Sequence, residues 1–222
     1  KEKLAQNAIK HDIKETCESL NALFNKDYDA AVIITQPWLH AEQAIQALNA
    51  GMHVWSAVPG GMTVDQIERL VKTVQETGRI YMIAETTYYY PSAIYCRDQY
   101  QKGVFGHITY SECQYYHEWD HGLYEVVKWR GGKDWRKSAG TPPMLYATHS
   151  TRGIISVSGA HMTDVSCIGF EDRHDDGIYD VTINDYQNPY SNQSALFSMS
   201  DGSISRINEF RRIGHPGEVA IN

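Results

Sequence analysis

Hydrophobic residues between positions 29 and 85 fall into three short runs separated by two stretches of helical period. Ala30-Ala31-Val32-Ile33-Ile34 is apolar and β-branched without interruption, which predicts a strand buried on both faces. A polar turn, Thr35-Gln36-Pro37, closes it. Ala44, Ile45 and Leu48 mark one face of a helix over 41–50, with Gly51 placed to end it. Met52-His53-Val54-Trp55 predicts a second short strand. Thr63 opens the next helix, and Gln66 stands three residues on, which completes a capping box. Val64, Ile67, Leu70, Val71 and Val74 form its apolar stripe, and Gly78 ends it. Ile80-Tyr81-Met82-Ile83 is the third strand. Strands and helices in this alternation predict right-handed crossovers in a parallel sheet. In open sheets of this kind ligands bind at the carboxyl edge of the strands. Here that edge carries two turns, 35–37 and 57–59.

Outside this stretch the periods change. Residues 1–28 are polar, with a weak helical pattern at Cys17, Leu20, Leu23 and Phe24. Pro91 suits the first position of a helix running to Gly103. Residues 107–117 alternate, with Thr109, Ser111, Cys113, Tyr115 and His117 on one face of an extended strand. Residues 119–143 carry Gly, Trp and Pro without a period and read as a long loop. Ser150 or Thr151 is placed to cap a short helix towards Gly159. Two extended runs flank Asp201-Gly202, which signals a hairpin. Its first strand sets Ala195, Phe197 and Met199 on one face, expected to be covered by a second subunit. The fold class expected is α/β: a partial Rossmann-like parallel sheet over 1–90, then an α+β domain over 91–222 with a large open, mostly antiparallel sheet.

Composition narrows the function. A formal charge of −7 and a pI near 5.8 argue against nucleic acid or an anionic membrane as partner. No apolar run is long enough to span a bilayer, and the start of the chain has no signal-peptide pattern. The four cysteines, Cys17, Cys96, Cys113 and Cys167, lack zinc spacing and suit a reducing, cytoplasmic compartment. His117, Glu118, Asp120 and His121 match no closed metal site and read as a solvated loop, so no metal is expected.

Three blocks, 29–40, 50–59 and the helix and strand leading to Glu85, resemble the glucose-fructose oxidoreductase/inositol dehydrogenase superfamily, Gfo/Idh/MocA. That resemblance implies an N-terminal NAD- or NADP-binding Rossmann domain, with NAD favoured, and a C-terminal sheet that forms the substrate side and the oligomer interface. It also implies that Thr35, Pro37, His40, Val58, Pro59 and Glu85 lie on the cofactor side. Two departures stand out. No GxGxxG occurs in the chain, so the resemblance places the first βαβ unit before Lys1. The family's Glu-Lys-Pro is Ala57-Val58-Pro59, and valine has no proton to exchange.

Within the superfamily the motifs are similar to those of the NAD-dependent α-N-acetylgalactosaminidases, which share a valine there. Tyr115-Tyr116-His117 after Phe105-Gly106 resembles their Tyr-x-His, and Tyr146-Ala147-Thr148-His149 their Tyr-Pro-Thr-His, with Ala147 in place of proline. The resemblance implies that Tyr115, His117, Tyr146 and His149 carry the chemistry. Oxidation of a sugar hydroxyl acidifies the neighbouring C–H, elimination expels the leaving group, water adds in its place, and the hydride returns; no carboxylate pair is required. Tyr and His can serve if burial and neighbours tune them. A sugar or glycoside substrate is expected, handled by net oxidoreduction or by a redox-neutral glycosidase cycle. A scaffold that kept the fold and lost the lysine is the competing reading. Read without the resemblance, Tyr115 and His117 are also ordinary half-buried strand residues, His40 a helix-start residue, and Glu85 a surface carboxylate.

Overall fold

The computed structural model describes residues 2–214 and the short strand Glu218–Ile221. The chain forms two compact units, Lys1–Ala84 and Glu85–Asn222. The division assigns Glu85 to the second unit.

The first unit holds the short helices α1 (Glu2–Lys10) and α2 (Leu20–Phe24), then alternates β1 (Ala30–Ile33), α3 (His40–Asn49), β2 (His53–Ser56), α4 (Val64–Thr77) and β3 (Tyr81–Ile83). β1 pairs in parallel with β2, and β2 with β3. Ala31, Ile33, Ala44, Ala47, Leu48, Met52, Val54 and Leu70 form one core. Each large aliphatic side chain so buried contributes about 1.5–3 kcal/mol.

β1 is not buried on both faces. Ala31 and Ile33 point into the core, whereas Val32 is 65% exposed. Val32, Trp55 and Met82 stand in register and are all exposed. The described helices α3 and α4 pack against one face of this sheet, so its strands alternate instead of running apolar throughout. On α4, Leu70 is buried, but Val64, Ile67 and Val71 are exposed, so the expected stripe is only partly used. The Thr63 hydroxyl accepts the Gln66 N–H as the capping box requires. The return bond from Gln66 goes to the Met62 N–H, one residue earlier than the box predicts. Gly78 ends α4 in the left-handed region at φ 63°, where a side chain would be strained.

The second unit contains α5 (Pro91–Gln101), β4 (Tyr110–Tyr116), α6 (Leu123–Gly131), α7 (Trp135–Ala139), α8 (Thr148–Ser158), β5 (Met162–Glu171), β6 (Tyr190–Met199), β7 (Ile204–Phe210) and β8 (Glu218–Ile221). The strands form one sheet in the order β5-β6-β7-β4-β8. Only β4 and β7 pair in parallel; the other neighbours are antiparallel, as the sequence reading expected. At the β6–β7 hairpin, Asp201 Oδ1 accepts from both the N–H and the hydroxyl of Ser203, and Gly202 takes φ 85°.

Three expectations are corrected here. The stretch 119–143 is not a structureless loop. It folds into α6, α7 and flanking 3-10 turns because Trp119, Leu123, Trp135 and Ala139 bury against Ile178 and Tyr179. The Trp119 indole N–H donates to the Tyr179 hydroxyl at 3.1 Å. Glu118, read as part of a solvated loop, is buried and accepts the backbone N–H groups of Ile213 and Gly214. The face carrying Ala195, Phe197 and Met199 is already covered within the chain. Met199, Ile207 and Cys113 pack with Ile154 of α8, and Phe197 lies against them. The opposite face of this sheet exposes Leu196, Ile204, Tyr110, Ile168 and Phe170.

Candidate functional site

In the first unit the carboxyl edge of β1 and β2 is shaped by His40. Its Nδ1 lies 2.8 Å from the Pro59 carbonyl and its Nε2 3.0 Å from the Thr35 carbonyl. A ring nitrogen that carries a hydrogen donates to the carbonyl it faces. The ring is 1% exposed. His40 therefore joins the turn after β1 to the turn after β2, with neither ring nitrogen free for a ligand. The Thr35 hydroxyl donates to Gln43 Oε1 at 2.7 Å. Pro37 opens a 3-10 turn leading into α3, Val58 is half-buried and Pro59 is buried.

In the second unit the four residues singled out by motif come together. The Tyr115 ring centroid lies 4.9 Å from that of His149, 6.3 Å from Tyr146 and 5.9 Å from His117. Tyr146 and His149 are 5.6 Å apart, edge to face. The Tyr115 hydroxyl lies 3.3 Å from His117 Nδ1. β4 supplies Tyr115, and His117 follows its end, held by an N–H bond to the Phe210 carbonyl at 3.0 Å. The 3-10 turn Pro143–Tyr146 and the first turn of α8 supply the other two.

α8 begins at Thr148, earlier than expected, and without a side-chain cap. His149 thus lies inside the first turn, not before it. Its Nδ1 faces Glu85 Oε1 at 2.7 Å. A carboxylate only accepts, so Nδ1 carries the hydrogen and Nε2 is left for proton exchange. Glu85, expected on the cofactor side, is 3% exposed, and its other oxygen, Oε2, is buried without a partner among the described residues.

Burial sets the protonation states. It raises the Tyr115 phenol above its ordinary value and pushes Tyr146 up to about 12, so both are protonated donors at neutral pH. Burial, helped by the positive charge of Arg211 and Arg130, lowers His117, which favours the neutral imidazole. Burial works against the ionised form of Glu85, but hydrogen bonds from His149 and the Thr87 N–H outweigh it and hold the carboxyl below its ordinary range.

Glu209 lies beneath the cluster and was not singled out in the sequence; it is fully buried and pairs with Arg211, which is 8% exposed. Arg212 pairs with Asp172 and Asp176. The available signal was that Glu209 falls in alternation with Ser205 and Ile207, on the inward face of β7. Among the described residues no group of three or more His, Cys, Asp or Glu side chains is arranged to hold a metal ion. Nor is any described helix long and apolar enough to cross a membrane.

Residues 1–85 match the family model described as oxidoreductase family, NAD-binding Rossmann fold. The chain is 31% identical over 145 residues to an α-N-acetylgalactosaminidase of Bacteroides fragilis, covering 62% of this chain and 33% of that protein. It is 32% identical over 134 residues to glycosyl hydrolase family 109 protein 1 of Shewanella sp. strain ANA-3, covering 59% and 29%. The match thus spans about a third of the length of these curated relatives. Among solved structures, scyllo-inositol dehydrogenase from Lactobacillus casei with bound NAD(H) and scyllo-inositol superposes with a TM-score of 0.79 at 20% identity. That superposition covers 98% of this chain and 61% of the other, and it shows the fold.

Proposed function

We propose, from the match of residues 1–85 to the oxidoreductase family with an NAD-binding Rossmann fold, that this protein is a Gfo/Idh/MocA-type enzyme acting by hydride transfer on a sugar or glycoside. The observation that carries the reading is the convergence of Tyr115, His117, Tyr146 and His149, with His149 held by the buried carboxylate of Glu85. A structural role alone does not call for two imidazoles and two phenols around one point, with burial shifting three of them.

The first unit takes the cofactor in this reading. The fit is partial. Exposed Thr35 with half-buried Pro37 and Val58 suits the flat nicotinamide end, and His40 and Pro59 fix the turns that present them. The glycine-rich cradle for the pyrophosphate is not in the chain. NAD, when bound, supplies the hydride acceptor and donor.

The second unit handles the protons. His117, neutral and next to the Tyr115 hydroxyl, takes the proton of the sugar hydroxyl that is oxidised. His149, through Nε2, takes the proton of the carbon acid next to the new ketone, and Glu85 stabilises the imidazolium that forms. Tyr146 and Tyr115, protonated, orient the sugar and donate to the departing oxygen. Val58, where the superfamily carries lysine, removes a dehydrogenase acid/base and favours the redox-neutral glycosidase cycle over net oxidation. The similarity to an α-N-acetylgalactosaminidase supports the same choice. A scaffold without catalysis is the competing outcome.

The test is His149→Ala in the protein, assayed with NAD and aryl glycosides of N-acetylated and plain hexoses. The expected result is a loss of turnover of on the order of a hundredfold with NAD binding retained. Wild-type turnover in the variant removes His149 from the site. No turnover of any glycoside or sugar by the wild type, with NAD bound, establishes the scaffold.

The exposed sheet face with Leu196, Ile204, Tyr110, Ile168 and Phe170 supports a homo-oligomer through the second unit. Sedimentation of Leu196→Glu against wild type tests it, and an unchanged mass overturns it. Four free cysteines support a reducing, cytoplasmic setting.

A further inference from the structure

The cluster of tyrosines and histidines rests on a charged pair that the roles above leave unused. Glu209 of β7 stands in register with Tyr115 of β4. Its carboxylate accepts from the hydroxyl of Ser150, the residue after His149 in the first turn of α8. It also accepts from Arg211 Nη2 at 3.1 Å. Arg211 donates in turn to the carbonyls of Tyr115 at 3.4 Å and Phe210 at 3.1 Å. The Phe210 carbonyl is the one that accepts the His117 N–H. The guanidinium carbon lies 5.2 Å from the Tyr115 ring centroid. One buried pair therefore reaches the backbone or the next neighbour of Tyr115, His117 and His149.

A pair of this kind is a poor source of stability. Desolvating both ions cancels much of their attraction, and well-packed apolar residues often serve folding as well or better. What a buried pair supplies is fixed geometry and fixed charge.

We propose that Glu209 is a positioning residue for the site: through Ser150 and Arg211 it sets the end of β4 against the start of α8, and its charge balances the guanidinium beside Tyr115 and His117. This rests on the reading of the cluster as the site of chemistry. The groups facing Glu209 are Ser150 and His149 from α8, Arg211 just past the end of its own strand, and Cys113 and Tyr115 from β4. Burial pushes its carboxyl up to about 7, against the pull of Arg211 and Ser150. Ionised, Glu209 cancels the charge of Arg211. Protonated, it leaves that charge uncancelled, and Arg211 already disfavours the imidazolium of His117. The protonation of Glu209 is thereby coupled to that of His117.

The experiment compares wild type, Glu209→Gln and Ser150→Ala by ring NMR titration of the histidines between about pH 5 and 9, and by steady-state kinetics where turnover is found. Glu209→Gln keeps the shape and removes the charge. It is expected to lower the His117 midpoint by about half a unit, a threefold change in the equilibrium, and to cut kcat about tenfold or more with KM within twofold. Ser150→Ala keeps the charge, so it should lower kcat without moving His117. A folded Glu209→Gln with an unmoved His117 midpoint overturns the proposal. Should that variant not fold, Ser150→Ala decides, and an unchanged kcat overturns it. The titration needs no substrate. A shifted His117 in a protein that turns over no sugar would count against the enzymatic reading and leave the coupling standing.

Discussion

His149 donates from Nδ1 to Glu85 Oε1 at 2.7 Å, across 64 residues of chain, and this bond determines which nitrogen of the imidazole is left to exchange protons. Glu85 closes the stretch with the crossover pattern, whereas His149 sits in the first turn of α8. The carboxylate is almost fully enclosed, so the attraction is screened little by solvent.

Replacing Glu85 with Gln is expected to lower turnover about tenfold to a hundredfold, because the amide does not stabilise an imidazolium and permits the other tautomer. The stability effect has a defined sign. The folded-state carboxyl is held below its ordinary value, so its contribution is present above the ordinary carboxylate range and is lost as pH falls through the depressed value. Thermal melts should show the variant least stable relative to wild type at neutral pH, with the gap closing at strongly acidic pH. A gap that widens on acidification would contradict the assignment.

Glu209 has the opposite sign. Its carboxyl is raised to about 7 in the folded protein, above the unfolded value of 4.5. The stability it contributes is complete below the unfolded value and declines as pH rises towards 7. Glu209→Gln should therefore gain on wild type between about pH 5 and 7.5, by on the order of 2–3 kcal/mol at most. Denaturant melts at the two ends of that window check this. A constant difference would show that the carboxylate is not desolvated as the structure has it.

Tyr146→Phe removes a phenol held protonated by burial and leaves the ring that meets His149 edge to face. The fold should survive with a change in stability within about 1 kcal/mol. Turnover should fall by about tenfold or more if this hydroxyl serves the leaving group. Wild-type kinetics in the variant would leave Tyr115 as the phenol that acts.

His40→Ala should act through the backbone. The variant loses the ring that joins the Thr35 and Pro59 carbonyls and leaves a buried cavity, at a cost of roughly 2–4 kcal/mol. Cofactor affinity should weaken with stability, since the ring itself has no free nitrogen to offer. A variant with unaltered melting temperature and lost NAD binding would show direct contact instead.

Leu48→Ala tests the core of the first unit. The side chain is fully buried between α3 and the parallel strands. A loss of about 2–5 kcal/mol is expected in denaturant unfolding.

Much of the local architecture was written in short-range signals. Alternation of apolar runs with helical period determined β1-α3-β2-α4-β3, and Thr63, Gly78 and Asp201-Gly202 marked boundaries that the backbone respects. These signals act within a few residues, through capping bonds and permitted φ angles, and a sequence displays them directly. The pairings that make the site are different in kind. Glu85 with His149, and Glu209 with Ser150, join residues 64 and 59 positions apart. The helices at 123–139 exist because Trp119 and Trp135 bury against Ile178 and Tyr179, not because their own sequence has a helical stripe. Inward or outward orientation of Val32 or Met199 likewise depends on what covers each sheet face. Burial and long-range contact are properties of the assembled chain, so which carboxylate holds which imidazole was settled only when the strands and helices came together.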